Sequence, residues 1–238
     1  MNKTYSIFLV AVLFLFGISF AVAIPNGASS VTEESSSTLS ATSPENHSAI
    51  AGNLTELTIY GDSVTQSWQG YYGNVSGAIR LADSSGDPMY NWSLASPQGE
   101  IFASIADSIT WTAIQCFNWA TNGTTLESNY NIATTAADGV NETFSTTVGH
   151  EAFVVGTTSF AEDDCMGTRI FDSTGTGVDQ NFEEVLLHDG ANTVFAALLE
   201  EDTTGFDDNP HDFEMIVLED GHSGDTDTTP YFFYVELE

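Results

Sequence analysis

The sequence predicts an all-β protein: a single large antiparallel β-sandwich, Ig-like or jelly-roll-like, with one disulfide, behind a signal peptide and a disordered stalk. Three observations lead there. Past residue 56, short β-branched and aromatic runs recur every ten residues or so with Gly, Asp, Ser and Pro turns between them, the rhythm of stacked antiparallel sheets. The chain holds two cysteines, Cys116 and Cys165. Its opening residues carry the layout of an export signal.

In chain order, residues 1–23 have one base (Lys3), an apolar run from Ile7 to Val22, and small residues at Ala21 and Ala23. That is a signal peptide with its cut after Ala23; the run is shorter than the roughly 20 residues that span a bilayer, and an uncleaved anchor is the alternative. A secreted or cell-surface location follows in both cases. Residues 24–56 are crowded with Ser and Thr and poor in apolar side chains, so they cannot bury enough area to offset ordering and are expected as a linker.

Residues 57–238 are expected as one domain, since no second linker interrupts them. Residues 57–63 (LTIYGDS) read as a short strand. Residues 75–81 (VSGAIRL) and 89–94 (MYNWSL) flank the turn residues Asp83, Gly86 and Pro88, and residues 101–105 continue the pattern. Residues 152–160 (AFVVGTTSF) read as one strand. Residues 182–188 and 193–199 flank Asp189-Gly190-Ala191-Asn192, a hairpin with an Asp-Gly turn. Residues 213–218 and 231–237 flank an acidic Gly/Asp loop and read as a second hairpin. Helical signal is confined to short turns in residues 113–120 and 126–132, although residues 183–187 and 196–201 also have helical propensity.

In an exported chain an isolated cysteine pair most simply closes one disulfide, Cys116 to Cys165. Free thiols and a metal site are the alternatives; there is no CxxC, and His47, His150, His188, His211 and His222 are scattered. Sequons at Asn46, Asn53, Asn74, Asn122 and Asn141 are candidate glycosylation sites; that at Asn91 falls inside an expected strand.

Charge excludes some functions. Against 34 Asp and Glu stand only Lys3, Arg80 and Arg169, for a net charge of −31, so phosphate is repelled and nucleic acid is excluded as a partner. No membrane contact is expected beyond the signal or anchor. The loops at residues 200–214 and 219–227 concentrate carboxylates, and Asp207, Asp208, Asp220, Asp225 and Asp227, with Asn209, are candidate calcium ligands by donor type. Solvated hairpin tips are the plainer expectation, and no cofactor is expected. Trp68, Tyr71, Tyr72, Tyr90 and Trp92 are either core aromatics at period two or a sugar-stacking platform.

Residues 57–63 end in Gly61-Asp62-Ser63, which resembles the first block of the SGNH (GDSL-type) esterases, and Asp208-Asn209-Pro210-His211 is similar to their Asp-x-x-His. The resemblance implies Ser63 as nucleophile, His211 as base and Asp208 as its orienting carboxylate. The chain departs from that family after Ser63: residues 66–73 lack a helical period, and no Gly-x-Asn-Asp oxyanion block follows. Residues 70–104 also resemble segments of uncharacterised secreted archaeal cell-surface proteins, a group that brings no activity. The expectation is therefore a non-enzymatic, secreted or cell-surface structural or adhesive glycoprotein, a subunit of an envelope, sheath or filament whose partners are further copies, other surface proteins or glycans. An extracellular carbohydrate- or ligand-binding module is the alternative, and a GDSL-type esterase the second.

Overall fold

The computed structural model describes residues 24–94, 97–146, 148–221 and 228–237. The expected signal peptide, residues 1–23, and the calcium candidates Asp225 and Asp227 lie outside the described residues.

The chain forms β1 (Asn26–Gly27) and then runs without strand or helix to β2 (Trp68–Gly73), β3 (Gly77–Ala82), β4 (Pro88–Leu94) and β5 (Gly99–Ser104). A 3₁₀ turn (Trp111–Ala113), β6 (Gln115–Cys116), a π turn (Trp119–Gly123), α1 (Thr124–Asn129) and α2 (Val140–Thr143) follow. Next come β7 (Phe153–Val155), β8 (Thr158–Phe160), β9 (Gly167–Arg169), β10 (Glu183–His188) and β11 (Thr193–Leu198). The described strands end with β12 (Thr203–Thr204), β13 (Pro210–His211), β14 (Phe213–Leu218) and β15 (Phe232–Leu237).

The fold is all-β and antiparallel. Its centre is a seven-stranded sheet in the order β1-β15-β5-β11-β10-β6, with β9 also paired to β10. Alternation along each strand sends successive side chains to opposite faces. Phe102, Val185, Leu187, Val194, Ala196 and Tyr234 point one way, onto Ile109, Ile114 and the β7–β8 hairpin. Ile101, Ala103, Leu186, Phe195 and Ala197 point the other way, onto Met215, Val217 and Leu218 of β14 and onto Leu126, Val140 and Phe144. β14 pairs with β2 to form a two-stranded layer over the sheet. Burial of both faces explains why β10 and β11 are apolar at consecutive positions, a composition that mimics a helix.

The disulfide joins Cys116 in β6 to Cys165 just ahead of β9, with Cα atoms 5.0 Å apart. Both short strands pair with β10, through Leu187↔Cys116 and Val185↔Gly167. The bridge therefore staples the two pieces that cap one edge of the sheet.

Three expected elements differ. Residues 213–218 and 231–237 are not a hairpin: β14 belongs to the upper layer, whereas β15 lies between β1 and β5. Their inward residues feed opposite sides of one core, so the strands could not pair without emptying it. Residues 152–160 are a tight hairpin, because Gly156 takes φ 59° and reverses the chain. Residues 57–63 form no strand and are exposed; their β-branched composition finds no neighbouring strand. Within the expected linker, Asn26–Gly27 pairs with β15, while the remainder up to β2 stays exposed along most of its length.

Candidate functional site

The most unusual surface is the β3–β4 ribbon. Its turn is set by Asp83, whose carboxylate accepts the N–H groups of Ser85 (2.9 Å) and Asp87 (3.0 Å), while Gly86 supplies φ 86°. The register places Ile79 opposite Trp92, Leu81 opposite Tyr90, and Arg80 opposite Asn91. Alternation therefore collects Ile79, Leu81, Tyr90 and Trp92 on one face. They are 54%, 52%, 59% and 49% exposed, and the Tyr90 and Trp92 ring centroids lie 4.8 Å apart. The ribbon pairs with no other strand among the described residues. An isolated two-stranded ribbon is marginal in water, and folded monomers rarely leave such a face bare.

Of the other aromatics, Trp68 and Tyr71 pack against the core, and the Trp68 indole donates to the Asp138 carbonyl at 2.7 Å. Tyr72 is exposed and meets Phe206 and His211 edge-on, each with centroids 4.9 Å away.

The residues with an esterase spelling are not brought together. Ser63 lies in the exposed segment, and its hydroxyl donates to the adjacent Val64 carbonyl. His211 Nε2 meets Asp207 Oδ1 at 2.9 Å, one residue away from the expected Asp208. Asp208 sits at φ 63° in the loop, its N–H donating to Gly205. Among the described residues no hydrogen bond joins Ser63 to His211. Asp207 is held at about 2 by the Asn209 side-chain amide, which outweighs desolvation, with further help from the Asn209 N–H and His211. Beneath this loop Glu214 is buried, accepts the Phe206 N–H at 3.0 Å, and is raised by desolvation. His211 thus clasps the β12–β13 loop to β2, and Glu214 ties it to β14.

The calcium candidates are also apart. Asp207 and Asp208 belong to that loop, and Asp220 accepts the Asn131 amide at 3.0 and 3.1 Å. Among the described residues no three acidic, histidine or cysteine side chains converge as a metal group. Asn46, Asn53, Asn74 and Asn141 are exposed, and Asn122 is half-buried in the π turn.

What sequence reasoning missed is a set of buried carboxylates. Glu183 accepts the Glu151 N–H (2.6 Å), the Gln180 N–H (3.1 Å) and Arg169 Nε (3.2 Å). Glu184 Oε2 accepts the Ile216 N–H at 2.9 Å across the layers, and its Oε1 is buried without a partner. Gly156 donates to both oxygens of Glu236, and Val75 donates to Asp212 at 2.7 Å. Burial would raise Asp189, but the N–H groups of Thr110, Asn192 and Ala191 hold it at about 2. Glu200 goes the other way, pushed to about 7 by desolvation and then by the charge of Glu151. The available signal was register: Glu184 and Leu186 share a face, as do Glu236 and Tyr234.

No helix among the described residues is long and apolar enough to cross a membrane. Compared with protein-family models, with curated proteins and with solved structures, the chain matches none of them.

Proposed function

We propose that the protein is a non-enzymatic, secreted or cell-surface structural or adhesive glycoprotein, a subunit that associates with further copies of itself in an envelope, sheath or filament. The observation that carries this reading is the bare apolar face of the β3–β4 ribbon. Exposed sequons and a long Ser/Thr-rich lead segment suit an extracellular setting. Covering four half-exposed side chains yields about 4 kcal/mol, against an association cost of about 4–15 kcal/mol. The ribbon alone therefore gives weak association that needs a second contact or a crowded surface.

The test is light scattering of the purified protein over a concentration series, with negative-stain imaging with and without calcium. The wild type is expected to associate, and an Ile79→Asp/Trp92→Asp variant to stay monomeric with an unchanged circular dichroism spectrum. A wild type that remains monomeric at millimolar concentration removes the reading.

The alternative, a carbohydrate- or ligand-binding module, is favoured by the exposed Tyr90–Trp92 pair, whose rings are free to stack on a sugar. Quenching of tryptophan fluorescence by oligosaccharides, absent in Trp92→Ala, would support it over self-association.

A further inference from the structure

The two edges of the central sheet are finished differently. On the β10 side the capping pieces β6 and β9 are tied down covalently by Cys116–Cys165. On the β15 side the cap is β1 alone, registered as Asn26↔Val235 and Gly27↔Tyr234 and extended by one bond from the Ala28 N–H to the Phe233 carbonyl at 2.9 Å. Fit there is loose. A groove of about 390 Å³ opens beside β1, bordered by Gly27, Ala28, Val31, Phe232, Phe233 and Tyr234. Between β1 and β2 the chain forms no strand or helix and stays almost wholly exposed, with its first side-chain bond to the body at Thr65–Asp138. Moving β1 away would thus unpair β15 and disturb no other strand or helix.

We infer that β1 is an exchangeable strand: it leaves its own β15 edge and docks in the same register on the β15 of a second copy. This rests on the self-assembly reading above. The occupant is fixed by chemistry already in place, because a second copy offers β15 the identical Pro25, Asn26, Gly27 and Ala28 and rebuilds the same backbone hydrogen bonds. Exchange therefore costs no contacts, only the advantage of being tethered. A lead of about 40 residues has a root-mean-square span of ~35 Å and reaches ~130 Å when extended, which sets the tethered strand's effective concentration in the millimolar range. Exchange wins where copies are held at that density, as on a cell surface or where the ribbons already hold them together. Since β1 of one copy meets β15 of the next, the contact is head-to-tail and can propagate.

The test uses the full chain, expressed with its own leader. Asn26→Cys and Val235→Cys variants, whose positions are Cα partners, are mixed and oxidised from ~10 μM to ~1 mM, and the bonded peptides are identified by mass. Expected is a bond between the two different chains that rises with concentration, and a covalent ladder from the double variant. No bond between the two chains in the mixture over that range, with only intrachain bonds in the double variant, would overturn the inference. Ala28→Pro, which removes the N–H given to Phe233, provides a second measurement and is expected to weaken the oligomer. An oligomer that survives Ala28→Pro and dissociates in Ile79→Asp/Trp92→Asp removes exchange and leaves the assembly reading standing. Interchain crosslinks that persist in the ribbon variant keep exchange and remove the ribbon contact.

Discussion

A carboxylate that leaves water with no cation beside it must gather N–H donors or take up a proton. In a chain whose bases past the expected cut are Arg80 and Arg169 alone, most buried acids have the backbone as their available partner. Glu183, Asp189, Asp212 and Glu236 collect amide N–H groups from loops, so each acid doubles as a clasp. Glu184 has one such donor and full burial, so desolvation outweighs the Ile216 N–H and raises its pKa well above the usual carboxylate range. Glu200, Glu127 and Glu214 are raised too, by desolvation first. Each of these groups holds its proton more tightly folded than unfolded. Their contribution to stability is therefore complete below the unfolded value of 4.5 and drains as pH rises, through about 7 for Glu200. Asp189 has the opposite sign, but its contribution fades only as pH falls toward about 2. Thermal unfolding followed by circular dichroism should show Tm falling from about pH 5 to about pH 8. Glu184→Gln keeps an acceptor for Ile216 and removes one titration, so its Tm should fall less over that range. Glu184→Ala, which strands the Ile216 N–H, should cost about 2–3 kcal/mol at acid pH and less as pH rises.

At the scale of elements, the sheet depends on short pieces that pairing alone would not hold. β6 contributes two residues and β9 three, and the disulfide keeps both against β10. Closing 49 residues of sequence removes loop entropy from the unfolded chain equivalent to about 4 kcal/mol. Cys116→Ser/Cys165→Ser should lower the unfolding free energy by about that amount in denaturant titration, with faster amide exchange in residues 115–116 and 167–169. The hairpin at Asp189 was legible in the sequence because its turn chemistry is local: Asp189 accepts the N–H groups of Ala191 and Asn192. The ribbon was legible for the same reason, through Asp83 and Gly86. The pairing of β14 with β2 and of β15 with β5 was not, because the partner of a strand is chosen by distant residues and by which layer needs filling. Helical propensity in residues 183–187 lost to tertiary context, since the strand buries Val185 and Leu187 on one face and Leu186 on the other.

For the whole molecule, the antiparallel strands and the Cys116–Cys165 disulfide agree with the all-β class and the cysteine pairing read from the sequence. Surface function was less legible. Period two in residues 89–94 is equally compatible with rings facing a core and rings facing water, and only the absence of a covering strand among the described residues places Tyr90 and Trp92 outside. The same holds for the sheet's unequal edges, since a two-residue strand such as β1 carries no hydrophobic period to detect.

Trypsin cuts after Lys and Arg, and beyond the expected leader this chain offers it two places. Arg169 is engaged by Asp179 and Glu183, whereas Arg80 stands exposed in the ribbon beside Ile79 and Leu81. Limited digestion thus becomes a footprint of ribbon occupancy: isolated copies should be nicked at Arg80–Leu81 within minutes, and assembled ones should stay intact. The scarcity of basic residues that makes the protein so acidic also makes a common protease a nearly single-site reporter of its assembly.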